Sequence, residues 1–438
     1  MTPTAGLSLE QAPPFGVPLR FFLTAPWFLV LAAMLVLWRG PEIFTSRWPP
    51  ATLALTHLLT LGFMAQVMLG ALLQMLPVMV GVVIPRPRLM ATLLHIPLTL
   101  GTLVLVIAFL AGSPVSFQMA FCLLGFAFGV ALAAVHIAVW RAPFASGTVI
   151  AMRCALAALL VTVGLGLALG GFFGWGWNLP VVMLTELHAV WGLLGWTVLL
   201  VAGVAYQVVP MFQITPPYPP AFVRGFAPLM AGLLAVWSAG LWTGWSALTN
   251  LAGAGLVVGV AVFAGTTLYL LGQRRRKIGD ATLNYWRLSL IGLLAAAGLW
   301  LSAQAVPAWT QAPQVELLLG ILMIAGFALG VINGMLYKIV PFLAWFHLQA
   351  QLFGRAKVPN MKQLLPDAAI RRQWWTYGAA LLLLLAAALY PPVFSIPAAL
   401  ALGASGAWLG FNLTRVGLTY RRILRAAGAA ADSVPAGA

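Results

Sequence analysis

Apolar runs of about twenty residues follow one another along this chain, separated by short polar or proline-bearing joints. A helix needs roughly twenty apolar residues to cross a hydrocarbon core, and lipid tolerates only segments whose backbone groups are satisfied internally. Twelve runs meet that length, at about 20–38, 51–80, 89–110, 115–140, 148–172, 181–210, 226–245, 249–271, 285–305, 315–345, 375–393 and 395–415. The pattern predicts an all-α polytopic membrane protein with twelve transmembrane helices.

The second, sixth and tenth runs share a marked sequence. Gly62-Phe63 is followed by Gly70, Gln74 and Pro77; Gly195-Trp196 by Gly203, Gln207 and Pro210; Gly326-Phe327 by Gly334, Lys338 and Pro341. All three read G-[FW]-x6-G-x3-[QK]-x2-P, with four runs per period, so the spacing predicts three repeats of four helices at about 20–140, 148–271 and 285–415. They form a single transmembrane domain over 1–438, ending in a tail at 416–438. Glycines eight apart lie about 80° from one another around a helix and make a strip that a neighbour can approach closely. The proline frees a carbonyl, which the nearby Gln or Lys is expected to help satisfy.

Composition excludes a soluble protein. Sixty-two per cent of the 438 residues are hydrophobic and 7% charged, with a mean hydropathy of +1.00, more apolar surface than a soluble domain can bury. The net charge of +16 is spread over short joints rather than gathered in one domain, so nucleic acid is not an expected partner and the lipid bilayer is. Arg86, Arg88, Arg141, Arg153, Arg224, the 274–277 run, Arg287, Arg355, Lys357, Lys362, Arg371, Arg372 and the tail arginines fall on one side, Arg39 and Arg47 on the other. Positive residues stay cytoplasmic, which predicts both termini inside a bacterial-type inner membrane. The first fifteen residues lack the pattern of a cleaved signal. Cys122 and Cys154 both fall inside predicted spans and read as small buried residues, not as a disulfide or redox pair.

The stretch THLLTLGFMAQVMLGALLQMLPV carries His57 in the second run, and TELH carries His188 in the sixth. A polar ring in hydrocarbon needs a partner: a structural hydrogen bond or a ligand. The two precede their motif glycines by five and seven residues, which sets both in the outer part of the membrane.

Twelve spans, termini inside, and a threefold repeat with marked second, sixth and tenth helices resemble subunit I of the haem-copper oxidase superfamily, over nearly the whole chain. The run His57-x4-Gly62-Phe63 with Gly70 and Pro77 is also similar to the nitric-oxide-response haem-copper proteins of the NnrS family. The resemblance implies haem-ligating histidines on the second helix and copper-ligating ones on the sixth, where His57 and His188 stand. It also implies a histidine pair on the seventh helix and an H-x-H on the tenth, yet GFAPLMAGLLAVWSAGLWTGW and the tenth run contain no histidine at those places, and position 192 is Gly. A standard oxygen-reducing binuclear centre is therefore not expected. Two neutral imidazoles are instead suited to the axial positions of a low-spin haem b. The two-residue difference in register turns one side chain about 200° relative to the other; on the ring of second, sixth and tenth helices that the resemblance implies, His57 and His188 are then expected to face one another across the pore those two helices share. Electron transfer, or nitric oxide or copper handling, near other respiratory-chain subunits is the expected activity. A transporter or a cofactor-free accessory subunit on the same scaffold is the alternative.

Other chemistry-bearing residues are fewer. Glu186 and Glu316 begin spans at the outer face and are candidates for proton release or for an oxygen ligand to a metal. His95 and His136, toward the cytoplasmic side of the third and fourth runs, are candidates for a second metal or haem pair. His347 is expected in an interfacial segment. Lys338 is expected to snorkel toward the cytoplasm, or to join Tyr337, Asn333, Gln207, Tyr206 and Gln74 in a proton or ion path, with Gln66 available to a transport route. No phosphate loop, dinucleotide fingerprint, HExxH, CxxC pair or nucleophile elbow occurs in a supporting context.

Overall fold

The computed structural model of the chain describes residues 11–81, 84–140, 146–275, 279–310, 312–352 and 356–432. Among these it is all-helical, with no strand, and eleven of its helices are long and apolar enough to cross a membrane. They are α1 (Gly16–Arg39), which runs on into a 3₁₀ turn at Gly40–Phe44, α2 (Pro50–Val78), α3 (Pro87–Ala111), α4 (Pro114–Trp140), α5 (Gly147–Trp175), α6 (Val181–Gln213), α7 (Pro220–Thr243), α8 (Ser246–Gly272), α9 (Ala281–Ala305), α10 (Pro313–Leu352) and, after one more helix, α12 (Pro391–Asp432). The intervening α11 (Asp367–Leu389) begins with Asp367, Arg371 and Arg372 before its leucine run, which dilutes its hydropathy. The tail expected from 416 begins inside α12, which continues unbroken to Asp432.

Local chemistry explains where the helices begin and end. Proline opens α2, α3, α4, α7, α10 and α12, where its missing N–H removes nothing. Ser146 caps α5 by accepting from the Val149 N–H at 3.3 Å, and Asp280 caps α9 through the Thr282 N–H at 3.0 Å. Gly112, Gly176 and Gly244 close α3, α5 and α7 with φ of +62°, +69° and +70°, a conformation costly for any residue with a Cβ.

The long helices pack in chain order around the bundle, and α12 lies along α1 to close the circuit. Inside it, α2, α6 and α10 each depart from α-helical geometry at a corresponding place: π-helical stretches cover Leu58–Ala65, Trp191–Val198 and Leu322–Ala328. The first motif glycine is the fifth residue of each stretch. The stretch in α10 touches those in α2 and α6, so the three meet near the bundle centre. Carbonyls there find side chains: Thr197 Oγ1 donates to Gly192 O at 2.9 Å, and the Tyr377 hydroxyl donates to Ala325 O.

The motif glycines do what their spacing predicts. Gly62 and Gly70 lie against Phe28 and Phe21 of α1, Gly195 and Gly203 against Ala158 and Ala151 of α5, and Gly326 and Gly334 against Gly292 and Tyr285 of α9. In each case the strip meets two residues seven apart on the preceding long helix. A Cβ on Gly70, Gly195, Gly203 or Gly334 would stand 2.7–2.8 Å from a neighbouring Cβ, so only glycine permits that approach. The motif aromatics Phe63, Trp196 and Phe327 are buried beside the strip.

The polar motif position behaves differently from the expectation of backbone repair beside the proline. Gln207 Nε2 reaches Thr148 Oγ1 at 3.5 Å, and Lys338 Nζ pairs with Asp280 at 2.5 Å, each at the start of the preceding long helix. Lys338 therefore does not simply snorkel: a specific carboxylate holds it.

Candidate functional site

His57 and His188 line one cavity of about 970 Å³, to which α2 through α12 all contribute lining residues. Their ring centres are 6.3 Å apart and the ring planes differ by 20°. The π stretch begins at the same place relative to the motif glycine in both helices. The two extra residues between His188 and the stretch, Ala189 and Val190, are α-helical, and the half-turn offset read from the sequence survives.

Each imidazole is fixed from behind. His57 Nδ1 lies 2.8 Å from Leu53 O, one turn back on its own helix, and His188 Nδ1 lies 3.0 Å from Thr162 O on α5. A carbonyl only accepts, so both Nδ1 atoms carry the proton and both Nε2 atoms carry a lone pair. Neither Nε2 has a protein partner among the described residues. This is the arrangement by which carbonyls fix the tautomer and orientation of metal-binding histidines. Gly166 makes room for it: a Cβ there would stand 2.9 Å from His188 Cε1. On the other side, Phe109 packs 5.2 Å from His57, and Phe117 and Phe173 extend the wall, stacked at 4.8 Å. The cavity is at the upper end of the roughly 300–1,000 Å³ typical of ligand sites.

At the outer mouth stands a three-way ion cluster. Arg47, in the joint before α2, donates to Glu186 at the start of α6, and its Nε lies 3.1 Å from Glu316 at the start of α10, while its guanidinium sits 4.6 Å over Trp48. One arginine thus ties together the entrances of the three motif helices. Burial works against the charge of Arg47, but Glu186 and then Glu316 more than offset it and hold the guanidinium protonated above its usual range. The three side chains are 26, 33 and 38% exposed, so water screens each pairing. Both carboxylates are committed to Arg47 here, rather than to the histidines.

The remaining candidates do not join this site. His95 Nε2 is 2.9 Å from Thr24 Oγ1, and its ring stands edge-on to Phe21 at 5.0 Å; the side chain of His136, its expected partner, lies outside the described residues. His347 belongs to α10 itself, 5.9 Å from the Phe15 ring. Among the path candidates, the Tyr337 hydroxyl accepts from Asn412 Nδ2 at 3.0 Å, Gln66 Nε2 donates to Thr99 at 2.8 Å, and the Tyr206 hydroxyl, the Gln74 carbonyl and both amide atoms of fully buried Asn333 have no partner among the described residues. No hydrogen bond among those residues links Gln74, Tyr206, Gln207, Asn333, Tyr337 and Lys338 to one another.

Sequence reading missed Arg47 as the hub, Gly166 as the seat of His188, and the phenylalanine wall. A signal existed for the second: glycines at 164, 166, 170 and 171 make α5 unusually bare along its outer half.

Fold and site together define a polytopic all-helical protein with a half-buried imidazole pair lining an apolar chamber. No protein-family model matches the chain and no curated protein matches it significantly in sequence. Among the described residues no three His, Cys, Asp or Glu side chains form a metal-binding group.

Proposed function

We propose that the chain is an inner-membrane electron carrier that holds one haem b between His57 and His188, on a twelve-span scaffold of haem-copper-oxidase type with both termini cytoplasmic. The observation that carries this reading is the imidazole pair, 6.3 Å between centres with both Nδ1 atoms bound to carbonyls. Two imidazoles on one metal at about 2.0–2.1 Å per bond have their centres roughly 6 Å apart. A tetrahedral or square-planar copper or zinc site needs further protein ligands; a haem needs only these two, because its macrocycle supplies the rest.

Bound there, the haem would supply one-electron redox chemistry. The protein's part is to orient two neutral imidazoles through Leu53 O and Thr162 O, and to keep water away with Phe109, Phe117 and Phe173. His57 and His188 would both be committed to holding the group, so passing electrons to or from respiratory partners fits better than binding oxygen or nitric oxide. The threefold architecture is supported by the corresponding π stretches and glycine strips in α2, α6 and α10, and α11 would be the twelfth span.

The test is an optical spectrum of the purified, dithionite-reduced protein. Sharp b-type α and Soret bands lost in both His57→Ala and His188→Ala support the proposal. A colourless preparation that stays colourless after reconstitution with haemin overturns it and favours the transporter or accessory reading.

A further inference from the structure

From residue 373 to residue 414 the chain contains no Asp, Glu, Lys or Arg. Arg372, on α11, opens that stretch and Arg415, on α12, closes it. The two helices lie antiparallel and in contact, aligned by Gln373 Nε2, which donates to Ser405 Oγ at 2.9 Å. Both arginines therefore mark the border at which hydrocarbon gives way to headgroups on the same side of the bundle. Between them runs a groove of about 480 Å³, floored by the small residues Ala404 and Ala407 and flanked by Trp408 and Phe411, the latter 64% exposed.

The groove lacks a counter-charge. Five of the chain's seven acidic residues are engaged elsewhere: Glu42 with Arg39, Glu186 and Glu316 with Arg47, Asp280 with Lys338, and Asp367, the acid nearest the groove in sequence, with Lys362 at 2.8 Å. Arg372 and Arg415 have no acidic partner among the described residues. Arginine is suited to bidentate contact with phosphate, an aromatic pair suits the interfacial level, and a floor of alanines leaves a channel for an acyl chain.

We infer that the groove framed by Arg372 and Arg415 is a binding site for an anionic phospholipid of the surrounding bilayer, its phosphodiester held between the two guanidinium groups and an acyl chain laid along Ala404 and Ala407. This site is separate from the imidazole cavity and does not depend on what that cavity holds. A membrane lipid is favoured over a free anion because the groove continues from the charged border into the apolar stretch.

Native mass spectrometry of the delipidated full-length protein, titrated with phosphatidylglycerol or phosphatidylcholine, tests the inference. Phosphatidylglycerol is expected to be retained preferentially, and Arg372→Gln/Arg415→Gln to weaken its binding by roughly tenfold. Ala407→Trp, which keeps both charges and fills the groove, is expected to weaken it as well, whereas Arg421→Gln/Arg422→Gln, farther along α12, is expected to leave it unchanged. Equal retention of the two lipids, an unaffected Arg372→Gln/Arg415→Gln protein, or an equal loss on changing Arg421 and Arg422 would each overturn the inference. So would displacement of the lipid by millimolar inorganic phosphate, which would mark a free-anion site, or a dimer that the two groove arginines control.

Discussion

The His188 imidazole rests on Gly166, with only the missing side chain of α5 making room for the ring. That seat, together with the Thr162 carbonyl one turn earlier, fixes where the lone pair of Nε2 is presented. Gly166→Ala requires the ring to move by a few tenths of an ångström, and Gly166→Leu displaces it. Overpacking of this kind costs about 1–3 kcal/mol. Graded weakening or broadening of the haem bands from Ala to Leu, with helix content unchanged by circular dichroism, is the expected outcome; unaltered spectra for Gly166→Leu would separate His188 from any ligand role.

The contact between Gly292 of α9 and Gly326 of α10 is backbone against backbone. A Cβ on Gly292 would stand 3.0 Å from the carbonyl carbon of Gly326, which no flexible side chain can relieve. Gly292→Ala is expected to lower stability by about 1–3 kcal/mol, read as a lower midpoint of thermal unfolding in mild detergent. Gly298→Ala, on the same helix with open space at its Cβ position, is the control and is expected to be neutral or slightly stabilising.

Arg47 is worth more than either of its partners. Arg47→Ala leaves Glu186 and Glu316 facing one another, whereas Glu316→Gln leaves the Arg47–Glu186 pair in place. After solvent screening the difference is on the order of 1 kcal/mol. Thermal unfolding should rank the proteins in that order at low salt, with the gap closing toward 1 M salt.

Asp280 gives a pH dependence with a definite sign. Burial pushes its carboxyl up, but the Lys338 ammonium and two hydrogen bonds from Thr282 outweigh burial and hold it below its usual value near 3.8. A depressed carboxyl contributes stability that is present above the unfolded value and is lost as pH falls through the folded one. The stability difference between the native protein and Asp280→Asn should be constant near neutrality and shrink below about pH 4. Lys338→Met, which strands a carboxylate that is only 6% exposed, should cost about 2 kcal/mol or more, with part recovered in Lys338→Met/Asp280→Asn.

Asn333 is wholly buried, with neither amide atom partnered among the described residues. Replacing such a group with an apolar one of similar volume removes a desolvation cost. Asn333→Leu should therefore be neutral or stabilising by thermal unfolding; a marked loss of stability would reveal a partner for the amide.

Much of this was legible because membrane helices announce themselves by length and apolarity alone, and because the glycines of the motif have a single physical use. Gly70 and Gly203 say that something must come close; they do not say that the neighbours are Phe21 and Ala151, since packing partners are set in three dimensions. The histidine pair was legible through register, as the extra α-helical residues after His188, Ala189 and Val190, preserve the half-turn. The pairing of Lys338 with Asp280 was not, because the cap of α9 lies 58 positions away in sequence. Arg47 was hidden for the same reason: its two carboxylates are remote in sequence, and only the assembled bundle sets them side by side.

The π stretch at Leu58–Ala65 lies directly after His57 and carries Gly62 at its fifth position. A wide turn of this kind holds a residue that a regular helix would not need, so a single deletion there can be absorbed by reverting to ordinary winding. The helix would survive, keep its glycine strip against α1 and leave His57 facing as it does. Ala189 and Val190, between His188 and the stretch in α6, are regularly wound and have no such slack, so deleting either would swing His188 by about 100°. His188 would then look away from His57, in a protein that still folds, inserts and purifies like the parent. One codon thus divides a bundle that can hold something between two rings from a bundle that merely stands.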